Sequence, residues 1–153
     1  LIFYQMNKNS LHSCLLVNKE WCNITVLILW KKYSWHETYQ KHFNTILSCL
    51  PSSSKQLLSD NDIKLPSTIF LKTPLFNYIS FCEFPQSGII DFIVEMVFEK
   101  KFNPKNPKQN LLEQEIYKLF VSQCKNIKEL WWKTSQPLPL FPGAILSTLQ
   151  VIC

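Results

Sequence analysis

Leu11-His12-Ser13-Cys14-Leu15-Leu16-Val17-Asn18-Lys19-Glu20-Trp21-Cys22-Asn23-Ile24-Thr25-Val26-Leu27-Ile28-Leu29-Trp30 is the run whose reading decides the fold. Leu11, Cys14, Leu15 and Cys22 recur at helical spacing on one side, and Val17, Trp21, Ile24 and Ile28 recur on another. One stripe seats a helix on its own core. A second stripe predicts burial from two sides, by the rest of the domain and by a partner. Ser10 stands where it can cap a helix starting at Leu11. A kink at Asn18 or Asn23 would split the run into two short helices. Asn23-Ile24-Thr25 also matches a glycosylation acceptor, but inside a helix the match is read as chance.

Working outward, Trp35, Tyr39, Phe43, Ile46, Leu47 and Leu50 form the next helical stripe, which Pro51 stops. The serines at 52–54 offer caps for a short helix carrying Leu57 and Leu58 and ending near Asn61. Leu65-Pro66 reads as extended. Thr73-Pro74 predicts a cap and first turn opening an aromatic helix through Leu75, Phe76, Tyr78, Ile79 and Phe81. Residues 89–98 are largely apolar and ambiguous between helix and strand, and Asp91 and Glu95, four apart on one face, favour helix. A Lys/Asn/Pro loop is expected over residues 100–110. Asn110 with Glu113 reads as the capping pair of a helix with core face Leu112, Ile116, Leu119 and Phe120. Lys125 and Lys128 beyond its end suit the helix dipole.

The composition of the 153 residues narrows the classes. Apolar residues are 46% and aromatics 14%, ample for a packed core and unlike a disordered chain. The net charge of +5 rests on 16 Lys and no Arg. Arg forks onto phosphate and guanine edges, so its absence argues against nucleic acid, and the scattered Lys read as a solvated surface. Six Cys (14, 22, 49, 82, 124, 153) form no C-x-x-C pair and sit mostly in apolar helical patterns, as small buried hydrophobes in a reduced setting do. The longest apolar candidate, residues 24–30, falls far short of the ~20 residues a membrane span needs. Leu1 in place of Met, and an end at Cys153 within an apolar run, lead to the expectation of an internal piece of a longer protein.

Near the end the pattern changes. Ile127-x-x-Leu130-x-Trp132 is followed 19 residues later by Leu146-x-x-Leu149-x-Val151, with Pro137-Leu-Pro-Leu-Phe-Pro-Gly143 between. Spaced apolar residues on a short strand, repeated after a connection, are what leucine-rich repeats look like, although chance spacing in so apolar a chain is the competing reading.

The run Ser13-Cys14-Leu15-Leu16-Val17-Asn18, then Trp21-Cys22, then Ile28-Leu29-Trp30 resembles the second half of the F-box, and is most similar to a large fungal group of F-box proteins. In that group an aromatic helix and a Phe-Pro-Gly segment follow, here Phe76-Asn-Tyr-Ile-Ser-Phe81 and Leu140-Phe-Pro-Gly143. The family's opening Leu-Pro helix has no counterpart except a tail at Leu1-Ile2-Phe3, and Leu27 stands where the group often has Pro.

The resemblance implies a mainly α fold: a short helical F-box, then helices, then the start of an α/β leucine-rich-repeat-like solenoid. The expected division is a partial F-box-like motif over residues 1–32, a helical linker or core region over 33–123, and the start of the repeat-like region over 124–153. It also implies a substrate-recognition adaptor of an SCF-type ubiquitin ligase in the cytoplasm and/or nucleus. Leu11, Leu15, Val17, Trp21 and Trp30 would grip a Skp-family adaptor, and through it a cullin scaffold, while downstream repeats hold a target protein. A motif of ~40 residues buries too little surface to stand alone, so a stabilising partner suits it. Each of the five residues has a plain alternative as core.

Catalysis is not expected, and neither a cofactor nor a metal is. His12, His36 and His42 are the only histidines, and His12 near Cys14 and Cys22 lacks zinc-site spacing. Asp60 and Asp62 fall in a turn, with no Gly-rich loop to hold a phosphate. The alternatives are a basic nucleic-acid-binding domain using Lys with exposed aromatics such as Trp131-Trp132, and an inactive truncated fragment.

Overall fold

A computed structural model describes residues 2–33, 39–67, 69, 74–81, 87–124, 129–131 and 150–152. The fold is mainly helical, and the chain divides into two compact units, residues 1–42 and 43–153.

The first unit holds α1 (Ile2–Gln5), α2 (Lys8–Cys14) and α3 (Lys19–Tyr33), with α1 and α2 packed on α3. The cap of α2 is Asn7, not Ser10: the Asn7 carboxamide oxygen accepts from the Ser10 N–H at 2.9 Å. Ser10 therefore lies inside the first turn of a helix that begins three residues before Leu11. The long apolar run does break, and at Asn18. Backbone bonds from Leu15, Leu16 and Val17 to His12, Ser13 and Cys14 close a turn there. Asn18 then accepts from the Trp21 N–H at 2.9 Å and opens α3. An Asn that caps satisfies donors that the first turn leaves orphaned. Asn23 lies inside α3.

In the second unit the residues of α4 (Tyr39–Ser48) from Phe43 onward precede α5 (Ser52–Asp60), a 3-10 turn at Tyr78–Phe81, α6 (Ser87–Phe98) and α7 (Pro107–Gln123). α7 packs against α6, α5 and the 3-10 turn. Phe43, Ile46, Leu47 and Leu50 are buried, as their stripe predicts, together with Leu58, Ile79, Ile90, Ile93 and Val94. Leu112, Ile116, Leu119 and Phe120, the face expected of α7, are all buried. Of the α4 stripe, Trp35 lies outside the described residues.

Three local expectations are corrected. Asn110 and Glu113 do not cap α7: Asn106 does, accepting from the Lys108 and Gln109 N–H groups, with Pro107 at the first turn where a missing N–H costs nothing. Asn110 instead donates its carboxamide to the Pro104 carbonyl at 2.6 Å. The loop over residues 100–110 is accordingly shorter. Finally, the aromatic helix contracts to the 3-10 turn, where Asn77 accepts from the Ser80 N–H and carries the Ser80 hydroxyl on its carbonyl. An Asn that bonds its own backbone offers the chain an alternative to a longer helix.

α5 and α6 both end in the same way. Asp62 and Glu99 adopt positive φ, 55° and 52°. The Ile63 N–H reaches back to the Leu58 carbonyl, and the Lys100 N–H to the Glu95 carbonyl. That is the left-handed helix stop that Gly usually makes.

β1 (Glu129–Trp131) and β2 (Gln150–Ile152) pair in parallel, with Glu129 opposite Gln150, Leu130 opposite Val151 and Trp131 opposite Ile152. Partners are thus 21 residues apart, against the 19-residue spacing of the sequence pattern. One pair of short strands is not a repeat array.

Candidate functional site

The most distinctive surface is on the first unit, at the turn between α2 and α3. Leu16 is 89% exposed, Val17 56%, Ile24 47% and Trp21 40%. Trp21 and Ile24 are three apart and share a face of α3, and Leu16 and Val17 sit in the turn that leads into it. Three of the four belong to the second stripe of the sequence, whose last member, Ile28, is buried. Single exposed apolar residues are ordinary; a run of four at one helix entrance is the kind of surface that marks an interaction site.

The turn is held firmly. The Asn18 cap fixes where α3 begins, and the Trp21 indole packs edge-to-face on Phe3 of α1, ring centroids 5.0 Å apart at 84°. Such a pair is worth about 0.5–1.5 kcal/mol beyond its buried area. Trp21 is therefore braced on one side and open on the other.

The five residues expected to grip a partner separate into two sets. Leu11 and Trp30 are interior, Trp30 standing edge-to-face with His42 at 5.5 Å. Val17 and Trp21 are at the surface, with Leu15 half-buried between the sets. Leu16 and Ile24 were not among the five. The signal for Leu16 was Asn18 just after it, a side chain able to cap a new helix and so to leave Leu16 in the turn before it.

Elsewhere the described residues offer little chemistry. No group of three or more His, Cys, Asp or Glu among them converges on a point that could hold a metal. A groove of about 540 Å³ lies along Lys55, Ser59, Asp62, Ile63, Lys64 and Leu65. It opposes two ammonium groups to one carboxylate, which itself pairs with Lys108 at 3.6 Å. Lys55 donates to the Ser48 carbonyl at 2.8 Å, and burial lowers its pKa. Nearby, burial pushes the Cys49 thiol up to about 11, so it stays protonated and a poor nucleophile at neutral pH. No described helix is long and apolar enough to cross a membrane. Compared with protein-family models, curated proteins and solved structures, the chain matches none.

Proposed function

We propose that this chain is a non-enzymatic adaptor of the F-box type, working in the cytoplasm and/or nucleus. In this reading the face of Leu16, Val17, Trp21 and Ile24 docks on a Skp-family adaptor, and through it on the cullin scaffold of an SCF-type ubiquitin ligase. The observation that carries the reading is the coincidence of two facts. The stretch that resembles an F-box also carries four exposed apolar side chains, Leu16, Val17, Trp21 and Ile24, gathered at one helix entrance. The region from residue 124 onward, where β1 and β2 pair in parallel, is assigned the start of a leucine-rich-repeat-like surface for a target protein.

The division of the five residues sharpens the roles. Val17 and Trp21 touch the adaptor, with Leu16 and Ile24 beside them; Leu11 and Trp30 hold the shape that presents them. Burying one large apolar side chain is worth roughly 1.5–3 kcal/mol, so removing two contacting side chains should weaken the complex by on the order of a hundredfold or more.

The test is titration calorimetry of the chain with a purified Skp-family adaptor. The parent should bind, and the Trp21→Ala, Ile24→Ala double variant should lose most of its affinity while its circular dichroism stays that of the parent. A Lys105→Ala control, in the exposed loop before α7, should bind unchanged. Absence of binding by the parent, or parent-like affinity in a folded double variant, would show the assignment to be wrong.

A further inference from the structure

The second unit carries a surface of a different kind, the groove at the end of α5. Its volume of about 540 Å³ is that of a small-molecule site. The buried Ile63 and the half-buried Leu65 line it on the apolar side, and Lys55, Ser59, Asp62 and Lys64 supply its polar groups.

The charges of this groove do not balance. The Lys55 ammonium is fixed by its bond to the Ser48 carbonyl at 2.8 Å, which leaves its other N–H groups unspent. Lys64 is exposed, and neither lysine pairs with a carboxylate among the described residues. The carboxylate of the groove itself, Asp62, is answered from outside it by Lys108 at 3.6 Å. The negative end of α5 is answered as well. The carbonyls of Leu57, Leu58 and Ser59 accept from the N–H groups of Asn61, Ile63 and Asp62. Two positive charges and the Ser59 hydroxyl are left beside an apolar wall.

We propose that this groove binds a small phosphate monoester whose alcohol part is short and apolar. A phosphate monoester carries about 1.5–2 negative charges at neutral pH, which matches two ammonium groups better than a carboxylate does. An ammonium is a point charge suited to phosphate, whereas a carboxylate is met best by the fork of Arg, which the chain lacks. The phosphate lies between Lys55 and Lys64 and accepts from the Ser59 hydroxyl, and the apolar part lies on Ile63 and Leu65. Lys108 does not line the groove. Its part is to neutralise Asp62, whose bare carboxylate would repel the phosphate.

Titration of the full chain with hexyl phosphate, followed by amide NMR, tests the site. Signals of residues 59–65 should shift and saturate, less readily as salt is raised. Inorganic phosphate, which lacks the apolar part, and hexanol, which lacks the charge, should each bind on the order of tenfold more weakly. Lys64→Gln removes an exposed ammonium with no bond to lose, and should weaken hexyl phosphate by about fivefold or more. Lys108→Gln should weaken it by less, and Lys19→Gln, in the first unit, should leave it unchanged. Phosphatidylcholine vesicles containing phosphatidic acid should not sediment the chain. Shifts that do not saturate, inorganic phosphate binding as tightly as hexyl phosphate, or parent-like affinity in a folded Lys64→Gln would overturn the site. Sedimentation with the vesicles that Lys64→Gln abolishes would give it to a lipid surface and overturn the free ester.

Discussion

α3 and α7 are of similar length, 15 and 17 residues, and they come to opposite ends. Nine of the 15 residues of α3 are apolar or aromatic by sequence, against seven of the 17 in α7. Yet α7 has nine buried residues, among them the polar Gln109, Glu113 and Glu115, whereas α3 leaves Trp21 and Ile24 in water. The more apolar helix is the less covered one. Burial thus follows what packs around a helix and not only what the helix is made of. α7 has neighbours from α5, α6 and the 3-10 turn, and its polar groups are put to internal use: Gln109 accepts from the Asn103 N–H at 2.6 Å. α3 carries surface that its own unit does not cover.

The comparison is broken most severely in α7. Phe120→Ala should cost about 3–5 kcal/mol, because a fully buried aromatic leaves a cavity its neighbours cannot fill. Trp21→Ala, at the open face, should cost about 1 kcal/mol, most of it the lost Phe3 contact. Urea denaturation of both checks this. Equal losses would mean that Trp21 is core after all.

A smaller effect sharpens the α3 side. Asn18→Ala removes the acceptor for the Trp21 N–H and should lower stability by about 1 kcal/mol. The same change should loosen the turn that presents Leu16 and Val17, so hydrogen exchange at residues 19–21 should quicken. Unchanged exchange there would show that the turn is held without the cap.

The smallest effect concerns the Thr25 hydroxyl, wholly buried with no hydrogen-bond partner. Replacing a buried, unsatisfied polar group by an apolar one of the same shape is neutral or favourable. Thr25→Val should therefore leave stability unchanged or raise it by up to about 1 kcal/mol in thermal melts. A clear loss would reveal a partner for that hydroxyl in solution.

How far the sequence carried differs between these regions for physical reasons. The core faces of α4 and α7 were legible because one apolar stripe at helical spacing, ended by Pro51 or flanked by polar residues, admits one arrangement. The caps were less so. Asn7, Asn9 and Ser10 crowd the start of α2, as Asn103, Asn106 and Asn110 crowd the start of α7, and residue type does not choose among several capable side chains. In the candidate site, the existence of two stripes was plain, but not which would be covered. That depends on neighbours distant in sequence, so Leu11 and Val17 looked alike until one proved wholly buried and the other mostly exposed.

Asp62 and Glu99 carry a consequence for how much room the fold has to change. Each holds a left-handed backbone that a side chain resists by roughly 1 kcal/mol or more, at positions where Gly is the usual occupant. The chain has only two Gly, and the one among the described residues, Gly88, lies in the first turn of α6. The second unit therefore keeps a small reserve of stability unrealised at the ends of α5 and α6. A single mutational step at either position would release it without touching the core or the exposed apolar face of the first unit, which leaves those surfaces freer to drift while the fold persists.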